Sequence, residues 1–419
     1  MYGIKTTKGD ALDKAKTAPI PKSLRLNTHS TIQSGIKRIE VEVDSDKQTI
    51  NPNTQCSFIL PQGMLLNGRN RPIRFRGEFT FSKTGGTFVR PHNGIQSLIR
   101  RVRVFVGNAC VSDTDQYGVL SALSHNYRYS QDWFDGNGYI AGYGSQAQRN
   151  AFGAASSTWF EFEFLENLFR QNLPVFKNEA RIKVEIHWED PSKCIETDGT
   201  SPSYQVSNAQ LRCSGLYLDN PEQVAAMTRN VVCAFENYRV QQHILTAGLT
   251  TSSVKLNVML RDCTAIAFCM LNDANLTDPT SNDRLSTFAR NGLSRAELKI
   301  NGSLVVFTGH GQDYTRNDGL YEAKSIWGLS ANDRSLASSY TSFQTDKFLG
   351  AFNLSPVIKD EVAHEKTQDI VIGGGMPLDH NCTLELTFAS ALAAQQSLYV
   401  IYFYNSSVTY EGDMISWQE

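Results

Sequence analysis

The 419-residue chain has almost no net charge: 40 basic residues against 42 acidic ones leave −2 at pH 7. That excludes a molecule that is basic throughout and confines any nucleic-acid contact to a local patch. Long apolar runs are missing too. No stretch reaches the roughly 18 residues of a membrane span. The first thirty residues hold Lys5, Lys8, Asp10, Asp13, Lys14, Lys16, Lys22 and Arg25 without the apolar core of a secretory signal, so the chain is expected to stay where it is made. Eight cysteines (Cys56, Cys110, Cys194, Cys213, Cys233, Cys263, Cys269 and Cys382) form no CxxC pair. Most fall in strand-like runs, as expected of buried, unpaired thiols.

The motifs of common catalytic chemistries are also lacking. The eight histidines never fall into HExxH or HxH spacing, and His380 and Cys382 are too isolated to hold a metal. Gly373-Gly374-Gly375 lacks the Lys-Ser/Thr of a phosphate loop and reads as a turn before Pro377. There is no GxSxG elbow. Glu161 and Glu163 would lie on one strand face about 7 Å apart, a pairing that suggests glycoside hydrolysis. Simple alternation accounts for them as well. The expectation is no catalytic residue, no metal and no cofactor.

What the sequence does have is strand pattern. Ile182, Val184, Ile186 and Trp188 alternate with Arg181, Lys183, Glu185 and His187, which reads as one buried and one wet face. The same holds for Ile39, Val41 and Val43; for Ile73, Phe75, Phe79 and Phe81; and for Phe160, Phe162 and Phe164. Residues 398–404 (LYVIYFY) are apolar on both faces and predict a strand covered on both sides, where two barrels or two subunits meet.

The pattern occurs twice, at an offset of about 190 to 200 residues. A strand over 102–106 turns at Gly107-Asn108 and precedes a helix-like stretch with Tyr117, Leu120 and Leu123. A strand over 296–300 turns at Asn301-Gly302, returns over 303–307, and precedes Tyr314, Leu320, Ile326 and Trp327. Both dipeptides supply the positive φ of a two-residue hairpin. Each half closes with an alternating strand (180–188; 382–388) and then an apolar one (210–218; 397–404). Between the halves, Asn220 as N-cap and Pro221 at the first helical position predict a short helix. The expected organisation is a basic arm over 1–34, a first unit over 35–220, a linker helix over 221–234 and a second unit over 235–419.

Three runs resemble one family. VRVFVGNACVSDTDQYGVLSALSHNY (102–127) resembles the hairpin, polar step and Tyr-Gly helix of double jelly-roll major capsid proteins. FEFEFLENLFRQNLPVFKNEARIKVEIHW (160–188) is similar to that family's strand, Leu-Pro turn and following strand. LYVIYFYNSSVTYEGDM (398–414) resembles its closing strand. The family spans the adenovirus, tectivirus and nucleocytoplasmic large DNA virus lineage. Gly-Asn in place of the usual Gly-Gly, and a short chain, make it most like polinton-like virus or virophage members.

The resemblance implies an all-β chain of two tandem eight-stranded antiparallel jelly-roll barrels with short helices in the long loops. It implies a major capsid protein of a double-stranded DNA virus, assembling as pseudo-hexagonal homotrimers into an icosahedral shell in the virion after synthesis in host cytoplasm or nucleus. Its partners would be itself, neighbouring capsomers, and penton and minor capsid proteins, with no small-molecule substrate. The arm residues Lys5, Lys8, Lys14, Lys16, Lys22 and Arg25 would line the inner surface against genome or an internal membrane, because clustered cations gain affinity for polyanions by counterion release. The long segments 112–157 and 309–344 would face outward or toward other subunits. Their aromatics Tyr127, Tyr129, Trp133, Phe134, Tyr139, Tyr143, Trp327 and Tyr340 are candidate interface anchors. A second basic concentration (Arg69, Arg71, Arg74, Arg76, Arg90, Arg100, Arg101 and Arg103) reads first as surface charge and second as inter-subunit ion pairing. The alternative to a capsid protein is a jelly-roll carbohydrate- or receptor-binding protein without catalysis.

Overall fold

A computed structural model describes residues 36–175, 181–218, 231–276, 278–280, 285, 287–305, 311–316, 319–327, 338–355, 374–379, 381–411 and 414–418. The strands form where alternation predicts them, because a period of two puts every apolar side chain of a strand on one face. In the first half, eight strands carry the architecture: β1 (Ile36–Asp44), β2 (Gln55–Ile59), β3 (Arg74–Thr84), β4 (Ile99–Val106), β5 (Ala109–Asp115), β6 (Thr158–Glu163), β7 (Ile182–Trp188) and β8 (Thr200–Leu218). The second half repeats them as β9 (Val231–Leu245), β10 (Thr251–Leu256), β11 (Leu260–Asn272), β12 (Leu293–Ile300), β13 (Ser303–Leu304), β14 (Gly350–Asn353), β15 (Cys382–Phe388) and β16 (Gln396–Glu411).

Pairing is antiparallel throughout these strands. The first half has sheets β1–β8–β3–β6 and β2–β7–β4–β5; the second has β9–β16–β11–β14 and β10–β15–β12–β13. Adding eight to every strand of the first half gives the second. This order is the jelly roll, present twice. Among the described residues no strand pairs across the two halves.

The halves turn alike but not identically. Gly107 has φ 61° between β4 and β5, whereas Asn301 (φ 52°) and Gly302 (φ 76°) are both left-handed between β12 and β13. The return strand after the second turn covers Ser303–Leu304; residues 306 and 307 of the expected 303–307 lie outside the described ones. One boundary moves: residues 231–234, read as the end of a linker helix, begin β9, whose Cys233 and Phe235 are buried. Burying that alternating face outweighs helix propensity there; residues 221–230 lie outside the described ones.

Each core is aromatic. Phe75 on β3 packs against Phe58 (6.2 Å), Phe162 (5.1 Å) and Trp188 (5.8 Å), joining both sheets of the first barrel. In the second, Phe268 packs against Phe348 and Phe352. Residues 112–157 are mainly helical: α1 (Tyr117–Arg128), α2 (Gln131–Asp135) and α3 (Gln146–Ala154). Buried from Tyr117 to Tyr127, α1 belongs to the core and is no surface loop. All eight cysteines are free thiols, seven of them buried.

Candidate assembly surfaces

The register of the second barrel defines the face that matters most. Tyr238 on β9, Phe403 on β16 and Ala265 on β11 stand opposite one another, with Ala267 and Cys269 on the same side. The other side carries Tyr402 and Cys263, which lie near Cys382 of the facing sheet and so point into the barrel. The Tyr238 side therefore points out. It is nevertheless buried, because the first barrel covers it.

Polar groups pin this cover. The Asn167 amide donates to the Tyr238 hydroxyl (2.8 Å) and the Glu236 carbonyl (3.2 Å). From the opposite side of β9, the edge strand of its sheet, Asn237 donates to the Val111 carbonyl on β5 (2.7 Å) and accepts from the Ser112 hydroxyl (2.8 Å). The Tyr127 hydroxyl donates to the Lys347 carbonyl (2.5 Å), and Thr197 N–H to the Pro279 carbonyl (2.9 Å). The Arg128 guanidinium sits 5.9 Å from the Trp327 ring, which packs 5.0 Å from Phe403. Residues 398–404 are thus covered on both sides, by their own core and by the neighbouring barrel.

This placement revises the aromatic anchors. Tyr127, Tyr143 and Trp327 are buried, and Tyr129, Trp133 and Phe134 are partly buried. Tyr129 and Trp133 stack at 4.0 Å, and both pack on His125, as does Tyr143 at 4.7 Å. Burial there holds the His125 imidazole neutral, its pKa pushed down to about 3. These six hold the chain to itself, Tyr127 and Trp327 across the junction. Tyr139 and Tyr340 remain 40% and 47% exposed. The arm residues Lys5, Lys8, Lys14, Lys16, Lys22 and Arg25 lie outside the described residues.

The basic concentration also resolves into partners. On the outer face of β1–β8–β3–β6, Arg212 bridges Glu42 (3.1 Å) and Glu161 (3.2 Å), Arg74 pairs with Glu161 (2.5 Å), and Arg38 and Arg71 converge on Glu40. Glu161 is the centre of an ion-pair ladder, and Glu163 turns to Arg170 (3.8 Å). A depression of about 290 Å³ beside Glu40 and Arg71 is walled by these same paired charges. Arg101 pairs with Asp113, and Arg103 with Glu185. Arg90 corrects the surface reading. Only 1% exposed, it makes a two-pronged contact with buried Glu196, donates to Asn150 (2.7 Å) and lies on the Phe88 ring. Nothing local betrays that pairing, which joins positions 106 residues apart.

Glu166 was not singled out by its sequence context either. It is buried against Tyr117, whose hydroxyl accepts from Leu165 N–H (2.8 Å), and burial pushes the carboxyl up to about 7. Among the described residues no group of three or more His, Cys, Asp or Glu is placed to hold a metal.

No family model and no curated protein matches the sequence. Solved structures do. A quasi-atomic model of the PBCV-1 virus capsid aligns with 92% of this chain and 97% of its own at TM-score 0.63 and 11% identity. The Faustovirus major capsid protein aligns with 95% and 96% at 0.58 and 9%. The mavirus major capsid protein aligns with 100% and 95% at 0.51 and 11%. The fold is the double jelly roll. Overlap across nearly the whole of both chains means that the double jelly roll is shared as a pair of barrels with their connection, not as one barrel matched alone.

Proposed function

We propose that the chain is a major capsid protein that self-assembles as pseudo-hexagonal homotrimers into the icosahedral shell of a double-stranded DNA virus. The observation that carries this reading is the tandem repeat of one strand order in a single chain. Three copies supply six like barrels, which suit a six-fold lattice position while needing only three-fold symmetry. The fold shared with viral capsid proteins supports it.

On this reading the protein is structural and not an enzyme. Its specificity lies in interfaces with neighbouring capsomers and with penton and minor capsid proteins. Residues 1–34 form an inner basic arm toward genome or membrane, and the two barrels occupy 35–220 and a stretch from 231 onward. The protein resides in the virion. Light scattering on the purified protein tests the proposal: three copies of the 46.7 kDa chain give about 140 kDa, and negative-stain images should show flat six-lobed particles. A stable monomer that binds glycans would instead support the carbohydrate-binding alternative.

A further inference from the structure

The hairpin turns of the two barrels are equivalent in the fold but not in chemistry. Gly107 N–H donates to the Arg181 carbonyl (2.8 Å), and Asn301 N–H donates to the Asn381 carbonyl (3.2 Å). Each of these residues opens a turn and is tied to the residue just before the neighbouring strand, β7 in the first barrel and β15 in the second. The first turn reads Gly107-Asn108-Ala109 and the second Asn301-Gly302-Ser303. Of the two, the second alone sets an asparagine before a glycine, whose missing Cβ leaves its nitrogen open to the asparagine side chain.

Five Asn-Gly pairs occur in the chain, and four of them are restrained. Asn67 is buried, with Gly68 wedged against the Phe169 and Gln171 carbonyls. Asn93 donates to the Leu285 carbonyl (3.3 Å), and Gly94 lies against the Tyr143 ring. Asn137 starts a short 3-10 helix in which Gly138 is buried against Trp133. Asn291 is half-buried and donates to Gln396 (2.9 Å), while the Gly292 carbonyl accepts from Ala389 N–H (2.8 Å). Asn301, Gly302 and Ser303 are all exposed, and among the described residues nothing comes within 4 Å of where a Gly302 Cβ would stand.

We propose that Asn301-Gly302 is a self-modification site, where the Asn301 amide is lost through a cyclic imide closed by the Gly302 nitrogen. The Gly302 backbone nitrogen gives its proton to solvent and bonds to the Asn301 Cγ; the Cγ–Nδ2 bond breaks, and Nδ2 takes a solvent proton and leaves as ammonia. Water then opens the imide at either carbonyl, giving aspartate or a backbone-lengthened isoaspartate. The new carboxylate arises in a defined place. The Asn301 carboxamide, its nitrogen turned to Asp379, donates to both carboxylate oxygens (2.9 and 3.3 Å), and Asp379 also accepts from Asn381 N–H (2.9 Å). Loss of the amide replaces the first pair of bonds by two facing carboxylates, which repel. An isoaspartate also adds a backbone atom to a turn whose geometry fits two ordinary residues. Both changes free the hairpin tip from residues 379–381, and with it the Ile300–Cys382 pairing at the ends of β12 and β15.

The test incubates folded wild type at pH 6 and pH 8 and maps its peptides by mass spectrometry, with isoaspartate told from aspartate by fragmentation. A guanidinium-unfolded sample run in parallel gives the rate of each pair without the fold. In the folded protein Asn301 should convert at least about tenfold faster than Asn108 and than each of the other four Asn-Gly pairs. The rate should be higher at pH 8, because the attacking nitrogen must lose its proton, and the unfolded sample should show five similar rates. Hydrogen exchange at 299–304 and 381–383 should rise with age in wild type and not in Asn301→Gly, which copies the glycine of the first barrel. Fresh Asn301→Asp should already show part of that rise. An Asn301 that stays intact, or that converts no faster than another pair in the folded chain, would overturn the site. Conversion at Asn301 with exchange unchanged would overturn the release of the hairpin tip.

Discussion

Replacing Asn237 by leucine should loosen the junction without unfolding either barrel. Asn237 is 2% exposed and holds the Val111 carbonyl and the Ser112 hydroxyl of the other barrel at once. Leucine fits the volume but leaves both groups buried without their partner, at about 1–3 kcal/mol each. The expected loss is about 2–6 kcal/mol, confined to the contact. Two barrels need not unfold in one step, so a single melting temperature would blur the effect. Hydrogen exchange resolved to β5 and β9 reads it directly: amides at the junction should exchange at least about tenfold faster, while those of β7 and β15 keep their protection. In a cycle with Ser112→Ala, the two substitutions should couple by about 0.5–3 kcal/mol. Unchanged exchange at β5 and β9, with additive effects in the cycle, would refute the view that this network fastens the barrels.

Glu196→Ala strands the Arg90 guanidinium in the core and should cost about 3–5 kcal/mol, whereas joint replacement by Met and Leu should restore most of it; chemical denaturation of the three proteins decides. Gly153 sits inside α3, where alanine would ordinarily help by about 1 kcal/mol, but an added Cβ would fall 1.8 Å from the Val89 carbonyl oxygen. Gly153→Ala should therefore destabilise by at least about 1–3 kcal/mol in the same assay. Glu166 titrates at about 7 when folded against an ordinary 4.5, because burial penalises its ionised form. Its stabilising contribution is full below pH 4.5 and is lost as pH rises through 7. Glu166→Gln should be the more stable protein at pH 8 by up to about 3 kcal/mol and lose that advantage at pH 5. Buried neutral His125 acts in the opposite direction as pH falls below 6.5, so the difference between the two proteins, not either curve alone, is the measurement.

Local pattern made the barrels legible and long-range pairing did not. Ile182, Val184, Ile186 and Trp188 are all buried, as their alternation requires, and the Gly107 and Asn301-Gly302 turns stand where their dipeptides place them. The repeat was readable because each copy must solve the same packing problem with the same period. Arg90 looked like its neighbours Arg100 and Arg101 because a buried and an exposed arginine are identical in sequence; only the approach of Glu196 and Asn150 distinguishes them. The aromatics of α1 and α2 misled for a related reason. A stretch without strand alternation reads as loop, yet the Tyr129–Trp133–His125–Tyr143 stack makes it a packed wall. Asn237 carried a faint signal, a lone amide on a side otherwise bearing Cys233 and Phe235, where a polar group persists only if it finds partners.

The two equivalent sheet faces differ in chemistry, and the difference follows from when each is covered. The face of β9–β16–β11 meets its partner as the chain folds and never confronts water in the finished protomer, so Ala265, Ala267, Ile401 and Phe403 can line it, small residues letting the other barrel approach closely. The face of β1–β8–β3–β6 must keep a free protomer soluble, since an apolar patch of that size on a monomer invites indiscriminate association. Pairing Arg74 and Arg212 with Glu161, and Arg38 and Arg71 with Glu40, keeps that face charged and hydrated. A contact built on such pairs is sensitive to ionic strength where it remains wet, with a screening length of about 8 Å at 0.15 M salt and about 3 Å at 1 M. The junction between barrels, buried and largely apolar, should therefore persist in molar salt. Association between chains should weaken under the same conditions, and oligomers that came apart at 1 M sodium chloride while circular dichroism and junction exchange stayed constant would separate the two kinds of contact in one titration.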